Sequence, residues 1–502
     1  MDSKLKVIVQ MPNNPGDVIM AMQAIQSSWL PNIEADEIEI HYIVDEECAS
    51  LVEGSSLFSR IFIQPRSFIA NTWSQSSLND SAIPICENIL SNFIQEIQTT
   101  QYDLAVNLYQ GKSGPIIQAL LKSDLKRGPR FSEESNVLVE DDWSAYLHSI
   151  PANRQANTFH TVDLYRRILR PALFEQTQLP PQGPSLLKLP PYPSFEWNNE
   201  FIAIQMGSAW PGKKWNENTW AKLVGFLLAD FTFDIILIGA PQEKLESQAL
   251  ANINPRIHNL CGSTSLIGVA GILEKAQLLI CPDTFAMHLA AAIQCPIFAL
   301  FGPSNPVETG PWAENCFVAN SLKAKEENFD FLGLETMKKI YPVEVFPVIS
   351  QLLKNINPSE FELLKSPRTT ILKGQWNANT SKIEFSDQLN SKVAPLVDSQ
   401  PSQSVKPIQT NLTTPDMKEL SSEIYHMLNN QLKLLNHMVI TGQWKENFNQ
   451  LESEEAKIAA LTHSNISMEK YRIHLNTISL RNGIQPYFQS RKRLVEKYIS
   501  IY

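Results

Sequence analysis

The chain has 502 residues, of which 43% are hydrophobic and 19% charged, and its formal net charge is −10. This length allows two or three domains, and the composition is that of an ordinary globular protein. The negative charge argues against a general nucleic-acid-binding protein, because contacts to a phosphodiester backbone require a basic surface.

No segment predicts a secretory signal or a membrane span, because residues 1–4 lead directly into a short strand and no apolar run is long enough to cross a bilayer. We therefore expect a cytoplasmic protein. The six cysteines show no CxxC spacing and several lie in apolar surroundings, so we expect packed, reduced thiols and neither disulfides nor a zinc site.

Apolar strands and helices alternate along residues 1–178. The first predicted strand, Leu5–Val9, is followed by a loop at 12–17 and by a helix from Val18 to Trp29. Further strands are predicted near Ile38–Val44, Arg60–Ile63 and Leu104–Leu108. This β-α-β alternation predicts a parallel, doubly wound sheet in a Rossmann-like domain. A proline-rich linker is predicted at 179–195.

A second alternating set occupies residues 196–358. Its strands are predicted at Phe201–Gln205, Asp234–Ile238, Ile257–Leu260, Leu278–Ile280 and Ile297–Phe301. The fold class is therefore α/β, with two Rossmann-like domains of doubly wound parallel sheets facing a cleft, the architecture known as GT-B.

The pattern changes after residue 358. Residues 359–413 are rich in Ser, Thr, Asn, Gln and Pro, which predicts a polar tether outside both sheets. Apolar residues then recur at helical spacing after a helix start at 414–416, so residues 414–502 are predicted to form a small helical module. This C-terminal helical extension is the expected site of a protein partner or of self-association.

One loop carries side chains suited to binding an anion. The strand ending at Ile280 is followed by Asp283 and Thr284, and a predicted helix begins at once, with His288 one turn inside it. Ligands in open α/β sheets bind at the carboxyl ends of strands, where helix N-termini present free N–H groups. The predicted ligand is a phosphorylated small molecule. Alternatively, Asp283 caps the helix and His288 packs beneath it.

A second such loop follows the strand Phe201–Gln205. Gly207 lets the backbone approach a ligand, the Ser208 hydroxyl can donate to an oxygen, and Lys213 or Lys214 can neutralise a phosphate. The alternative is a solvated Lys-Lys turn beside a tryptophan that covers the core.

Taken in order, these motifs resemble the bacterial heptosyltransferase family, glycosyltransferase family 9. The matching segments are Gly16-Asp17-Val18, Gly207-Ser208, Lys213-Lys214-Trp215, Gly239-Ala240-Pro241-Gln242-Glu243, Cys261–Leu266, Asp283-Thr284, His288-Leu289-Ala290 and Phe301-Gly302-Pro303-Ser304. The resemblance extends over residues 4–355. It departs from the family pattern at Phe285, because the family has glycine after the Asp-Thr pair.

The resemblance implies roles for residues on both sides of the cleft. Asp17 matches the family's catalytic base, against the alternative that it caps the helix from Val18. Ser208 and Lys213 match positions that contact the donor's phosphates, and Lys214 is a further candidate. By the same resemblance, residues 1–178 form the acceptor side and 196–358 bind the nucleotide sugar.

The resemblance also assigns donor-site roles further along the chain. Asp283 and Thr284 match donor-site positions, and His288 is a candidate to bond the phosphate or sugar, against a packed core histidine. Glu243 resembles the acid that holds the ribose hydroxyls, against a first-turn helix acid favoured by the helix dipole. Phe285 is expected to act as a selectivity element.

The expected function is metal-independent, inverting transfer of a sugar, with heptose from ADP-heptose as the first choice, to a glycan or lipid-linked acceptor. No Asp-x-Asp motif suggests a metal, and Glu140-Asp141-Asp142 is expected to be a solvated acidic patch, so we expect no cofactor and a diphosphate held by protein donors. The alternatives are a different nucleotide sugar, a protein acceptor, or a non-catalytic nucleotide-sugar-binding scaffold. The resemblance places the chain in the bacterial cytoplasm, with peripheral attachment to the inner membrane left open.

Overall fold

The computed structural model describes residues 4–29, 37–66, 82–111, 113–131, 137–139, 141–150, 157, 159–169, 183–314, 316–321, 336–354, 370–377 and 382–387. Its contacts divide the chain into one unit of residues 1–144 and 154–391 and a second of 145–153 and 392–502. Both sheets that form the predicted cleft belong to the first unit. The predicted helical module at 414–502 lies outside the described residues.

Strands and helices alternate through this first unit. The strands are β1 (Leu5–Gln10), β2 (Ile38–Asp45), β3 (Arg60–Gln64), β4 (Tyr102–Asn107), β5 (Ser123–Arg127), β6 (Arg130–Phe131), β7 (Val137–Leu138), β8 (Phe201–Gln205), β9 (Asp234–Ile238), β10 (Ile257–Asn259), β11 (Leu279–Pro282), β12 (Ile297–Phe301), β13 (Cys316–Asn320), β14 (Thr370–Asn377) and β15 (Lys382–Asp387).

The helices connect these strands along the chain. They are α1 (Pro15–Trp29), α2 (Ala82–Ile97), α3 (Ser113–Leu120), α4 (Asp142–Ser149), α5 (Thr161–Leu169), α6 (Glu217–Asp230), α7 (Lys244–Ala251), α8 (Gly268–Lys275), α9 (Phe285–Ala292), α10 (Pro306–Thr309) and α11 (Pro342–Leu353). Short 3-10 turns include Pro211–Lys213 and Pro241–Glu243.

The N-terminal domain is built on a five-stranded parallel sheet in the order β3-β2-β1-β4-β5. Its central strands are apolar over most of their length because helices cover a parallel sheet on both faces. Ile8, Ile43 and Phe62 from the sheet pack against Phe93 and Ile97 of α2. The strand order reverses between β1 and β4, so the loops after these two strands lie side by side.

The C-terminal domain contains an eight-stranded sheet in the order β10-β9-β8-β11-β12-β13-β14-β15. Strands β8 to β13 are parallel and follow the doubly wound order, with the reversal between β8 and β11. The two Rossmann-like sheets predicted from the sequence are therefore confirmed. Residues 183–200, which include the described part of the predicted linker, form neither helix nor strand.

The prediction of a polar tether is wrong for residues 370–377 and 382–387, because they form the last two strands of this sheet. β14 pairs with β13 and β15 pairs with β14, both antiparallel. Gly374 is required at the first junction, since a Cβ there would lie 2.5 Å from the Cys316 Sγ. These strands need apolar residues only where they face the core, and charged residues on the edge strand β15 discourage pairing with other chains, so the sequence of the segment is polar.

Within the described ranges, no helix combines the length and the apolar character needed to cross a membrane. The cysteines that the structure describes in full, at positions 48, 261, 281, 295 and 316, are buried and free of disulfide bonds. Burial raises the pKa of the Cys295 and Cys316 thiols to about 12, so these two are packed, protonated side chains.

Candidate active site

The two anion-suited loops meet at the reversal point of the C-terminal sheet. β8 leads into Gly207 and the Lys213 loop, and its neighbour β11 leads into Asp283 and Thr284. Ligands bind in the crevice at such a reversal point, outside the carboxyl ends of the strands. The sheet order therefore brings together side chains that lie 70 residues apart in the chain.

Lys213 and Asp283 form the central polar contact of this crevice. The Lys213 Nζ lies 2.6 Å from the Asp283 Oδ2, and the side chains are 25% and 7% exposed. Thr309 donates its hydroxyl to the same carboxylate oxygen at 3.2 Å. Burial by itself would raise the pKa of Asp283, but the Lys213 ammonium, His288 and a hydrogen bond from Ser304 hold it below its ordinary value. Asp283 is therefore ionised.

The alternative that Asp283 caps helix α9 is wrong. The N-cap position belongs to Thr284, whose side chain makes no capping bond. The Thr284 hydroxyl instead donates to the Gln205 Oε1 at 2.8 Å. Both side chains are thus committed to contacts with the neighbouring strand β8 and the loop that follows it.

His288 is buried one turn inside α9, and its Nε2 lies 3.9 Å from the Asp283 Oδ1. Burial lowers the pKa of His288 to about 4, with Lys213 acting in the same direction and Asp283 opposing it, so the ring is neutral at pH 7. Among the described residues, none bonds its Nδ1. A Cβ on Gly16 would lie 2.8 Å from the His288 Cδ2, so the first turn of α1 packs directly on this ring.

Asp17 lies in that first turn of α1. The helix begins at Pro15 and not at Val18 as predicted, since proline suits the first helical position and the Val18 N–H already bonds the Asn14 oxygen. Asp17 is therefore the third helical residue, and the alternative that it caps the helix is wrong. Its Oδ2 accepts from the Asn14 Nδ2 at 3.0 Å. Asp17 directly follows Gly16, the residue that packs on His288 of the C-terminal domain.

Glu243 is buried behind the second loop. Its Oε2 accepts from the Ala240 N–H at 3.2 Å, and its carboxylate also bonds the Gln205 amide. Burial raises the pKa of Glu243, against these two donors. A Cβ on Gly207 or Gly239 would collide with the carboxylate, which fixes both positions as glycine.

The alternative that Glu243 is an acid in the first turn of a helix is only partly right. Helix α7 begins at Lys244, so Glu243 precedes its first turn and is instead the last residue of the 3-10 turn Pro241–Glu243. The bond to the Ala240 N–H stabilises that turn. The carboxylate also contacts Gln205 and Gly207 in the crevice, so its structural bond does not remove it from the candidate site.

The neighbouring lysines face different partners. Lys214 lies 3.7 Å from Glu246, whose side chain is 48% exposed, and it lines a pocket of about 460 Å³ with Met206, Trp215 and residues at the start of α6. The alternative of a solvated Lys-Lys turn therefore describes Lys214 better than it describes Lys213. Ser208 accepts from the Trp210 N–H at 3.3 Å and is partly exposed in the same loop.

The two tryptophans of the second loop differ in burial. Trp215 is buried and donates its Nε1 to the Met337 oxygen at 3.0 Å, so it belongs to the core. Trp210 is 57% exposed. Phe285, the predicted selectivity element, is the first residue of α9 and is partly exposed beside Thr284.

The predicted solvated acidic patch is only partly found. Asp142 is exposed, but Asp141 accepts from the Ser144 N–H at 2.8 Å and from the Gly128 N–H at 3.1 Å, so it caps the start of α4. Glu140 lies outside the described residues. Across the described ranges, no cluster of three or more His, Cys, Asp or Glu side chains is arranged to hold a metal.

Sequence reasoning missed three residues that complete the site. Gln205 joins Thr284 to Glu243, Thr309 supports Asp283, and His160 donates its Nε2 to the Gly310 oxygen at 2.8 Å. Burial lowers the pKa of His160 to about 4, so it is neutral. Of these three residues, only Gln205 could have been identified from the sequence, because it is a polar residue that ends an apolar strand just before a loop containing glycine.

The chain is similar in sequence to known heptosyltransferases. The family model of glycosyltransferase family 9 (heptosyltransferase) matches residues 90–338. Lipooligosaccharide heptosyltransferase 2 of Campylobacter jejuni is 24% identical over 366 residues, which cover 70% of this chain and 99% of that protein. Lipopolysaccharide heptosyltransferase 1 of Escherichia coli K12 is 36% identical over a shorter stretch of 117 residues, 23% of this chain and 35% of that protein.

Two solved structures share the fold. The E. coli heptosyltransferase WaaC with ADP superposes with a TM-score of 0.52 at 19% identity, covering 69% of this chain and all of that one. The family 9 glycosyl transferase from Veillonella parvula superposes with a TM-score of 0.55 at 18% identity, covering 71% and 99%.

The two sheets and the solved structures that superpose on them define a GT-B fold. With the family match and the ordered motifs, the chain belongs to glycosyltransferase family 9, the heptosyltransferase family. The alternative of a non-catalytic scaffold is therefore not supported.

Proposed function

We propose that this glycosyltransferase transfers heptose from ADP-heptose to a glycan or lipid-linked acceptor, with inversion and without a metal. The observation that carries the proposal is the packing of Gly16 on His288. Asp17 follows Gly16 in the N-terminal domain, and His288 lies beside Asp283, so this packing supports a position of Asp17 close to the proposed donor site. The named relatives are lipooligosaccharide and lipopolysaccharide heptosyltransferases, and one structural neighbour was solved with ADP, which supports this donor class.

The C-terminal domain is the proposed donor site. Lys213, the Ser208 hydroxyl and the free N–H groups at the start of α9 supply the positive potential for a diphosphate. Glu243 lies within the same crevice and is the proposed partner of the ribose hydroxyls. His288 is neutral, so its proposed role is to hydrogen-bond the donor rather than to add charge.

Asp17 is the proposed general base. The acceptor hydroxyl attacks the anomeric carbon from the face opposite the diphosphate, and its proton passes to the Asp17 carboxylate as the new C–O bond forms. The bond between the anomeric carbon and the diphosphate breaks, and the negative charge on the leaving group develops beside Lys213. One displacement of this kind inverts the anomeric configuration.

A different nucleotide sugar is the second candidate, and Phe285 favours it. Where family members have glycine, this chain places an aromatic side chain next to Thr284, at the start of the helix expected to meet the pyrophosphate. The ring narrows or reshapes the space for the donor. A protein acceptor also remains within the proposal, because the helical module predicted at 414–502 is proposed to recruit a partner. The proposed location is the bacterial cytoplasm, with attachment at the face of the inner membrane.

A transfer assay with ADP-heptose, other ADP sugars, UDP sugars and GDP sugars tests the proposal. We expect ADP-heptose to give the highest kcat/KM, a product of inverted configuration by NMR, and unchanged rates in EDTA. A preference for a UDP or GDP sugar would refute the donor assignment. Loss of activity on chelation, restored by magnesium, would refute the metal-independent clamp.

A further inference from the structure

The β14–β15 hairpin lies beyond the residues that the family model matches, which end at 338. It adds two antiparallel strands to the C-terminal sheet. Trp376 of β14 and Phe385 of β15 contact the segment 308–312 of the C-terminal domain. This segment is hydrogen-bonded to His160 and Thr161 at the start of helix α5 in the N-terminal domain. The hairpin therefore touches the joint between the two domains.

Trp376 packs against the buried guanidinium of Arg166 in the N-terminal domain. The Arg166 guanidinium of α5 is fully buried, 5.6 Å from the Trp376 ring and 5.7 Å from the Trp312 ring. The two rings pack edge to face at 6.2 Å. A Cβ on Gly183 would lie 2.7 Å from the Trp376 ring, so the interdomain linker is packed on the same side chain. Two aromatic faces from one domain thus hold a cation from the other.

Phe385 of β15 packs on the same segment, 308–312, at a second position. A Cβ on Gly310 would lie 2.5 Å from the end of the Phe385 ring, so the ring lies against the Gly310 backbone. The Gly310 oxygen accepts from His160 at 2.8 Å, and the Glu308 oxygen accepts from the Thr161 hydroxyl at 2.9 Å. The hairpin therefore packs on segment 308–312, and His160 and Thr161 at the start of α5 bond the same segment.

The supported segment also reaches the donor site. Thr309, between the two carbonyl groups that α5 bonds, donates to Asp283 at 3.2 Å. Asp283 in turn holds Lys213. A shift of segment 308–312 away from α5 would therefore alter the approach of the two domains, while Asp283 keeps its contact with Lys213 inside the donor domain.

We propose that the β14–β15 hairpin is an interdomain clamp, which presses segment 308–312 against helix α5 and so fixes Asp17 relative to the donor site. Trp376 and Phe385 are positioning residues, because they act through Arg166 and Gly310 and touch no reacting group. Opening the cleft would require the buried Arg166 to leave its two aromatic neighbours, so the clamp favours the closed arrangement. The effect on transfer rests on the proposed function, whereas the effect on interdomain contacts does not.

Trp376→Ala in the full chain tests the clamp by hydrogen exchange. We expect exchange at residues 160–166 and 308–312 to rise about tenfold or more, with β8, β9, β11 and β12 as protected as in the wild type. Trp376→Phe should restore protection, since a ring remains over Arg166. Gln375→Ala, an exposed neighbour on the same strand, is the matched control and should change nothing. Uniform loss of protection across the C-terminal sheet, or no change anywhere, would overturn the proposal.

Kinetic measurements distinguish a positioning role of the hairpin from a role in folding. In Trp376→Ala, kcat should fall about tenfold to a hundredfold, as expected for a small misplacement of reacting groups, while the Kd of ADP changes less than about twofold. Equal losses in kcat and ADP affinity would mean that the hairpin only stabilises the donor domain. If the wild type neither binds ADP nor uses ADP-heptose, the proposed donor fails and the exchange result still decides the clamp.

If Trp376→Ala does not fold, the milder variant Phe385→Leu tests the clamp. Phe385→Leu retains an apolar side chain but removes the end of the ring that meets Gly310. Exchange at 308–310 should then rise while Trp376 and its neighbours stay protected. Unchanged exchange at 308–310 in a folded Phe385→Leu protein would refute the clamp.

Discussion

Lys213→Met should lower the free energy of unfolding by about 3 kcal/mol at pH 7. The substitution keeps the unbranched stem but removes the ammonium that lies 2.6 Å from an Asp283 carboxylate only 7% exposed. Removing one partner of a buried ion pair costs about 3–5 kcal/mol, because the remaining charge is left without compensation. Thr309 and Ser304 still donate to Asp283, which places the expected loss at the lower end of this range.

The loss should depend on pH, and its sign follows from the pKa of Asp283. In the wild type that pKa lies below its ordinary value of 3.8, so the ion pair's contribution is present above pH 3.8 and disappears as pH falls through the lower, folded-state pKa. Without Lys213, burial should dominate and raise the folded-state pKa above 3.8. The variant then regains stability as pH falls and Asp283 takes up a proton, so the gap to the wild type narrows between pH 7 and pH 4.

Urea unfolding of the two proteins at several pH values measures this gap. Lys214→Met is the matched control for stability: its partner Glu246 is 48% exposed, and such surface pairs contribute about 0–1 kcal/mol. Lys213→Met combined with Asp283→Asn should recover most of the lost stability, since no buried charge remains. Equal stabilities of wild type and Lys213→Met at pH 7, or a gap that does not narrow toward pH 4, would refute the assignment of a buried, ionised Asp283.

Substitutions at three further positions test the proposed roles. Asp17→Asn should lower kcat about 10²–10⁴-fold, as expected for loss of a general base, with ADP binding retained in calorimetry; near-normal turnover would exclude that role. Gln205→Met removes the amide that links Thr284 to Glu243, so the pKa of Glu243 should rise and the KM for the donor should increase, while Gln205→Glu should not restore it. Phe285→Gly should change the ranking of nucleotide sugars by kcat/KM more than it changes stability, and an identical ranking would show that the ring does not contact the donor.

The repeated strands and the loops that follow them could be predicted because each leaves a local signal. β8 and β9 are continuous apolar runs with the length of a strand, bounded by polar or glycine residues, as expected for parallel strands covered on both faces. The loops with Ser208 and Asp283 follow such strands directly. Since ligands of open α/β sheets bind at strand carboxyl ends, the position of the candidate site followed from the same pattern.

Side-chain partners could not be predicted, because they depend on strand order and on packing between domains. The contact of Lys213 with Asp283 exists only because β11 lies next to β8, and nothing near either residue encodes that neighbour. The alternative that Asp283 caps the helix could not be excluded from the sequence for this reason: the local pattern of an acid before a helix is the same whether the carboxylate turns to the helix or to a distant lysine. The start of α1 did carry a local signal, proline at the first helical position, which the prediction overlooked.

The β14–β15 hairpin was predicted wrongly for a different reason, because its local composition does not reveal its partners. β14 places Gly374 and Trp376 among polar residues, a composition that favours a tether when the segment is considered by itself. Its stability comes instead from pairing with β13 and from aromatic contacts to Gly183, Gly310 and Arg166, all more than 60 residues away in the chain. A short segment with few apolar residues can therefore be essential to the alignment of two domains. The glycines at 183, 310 and 374 are the sequence trace of this arrangement, because each gives room to a side chain that arrives from elsewhere.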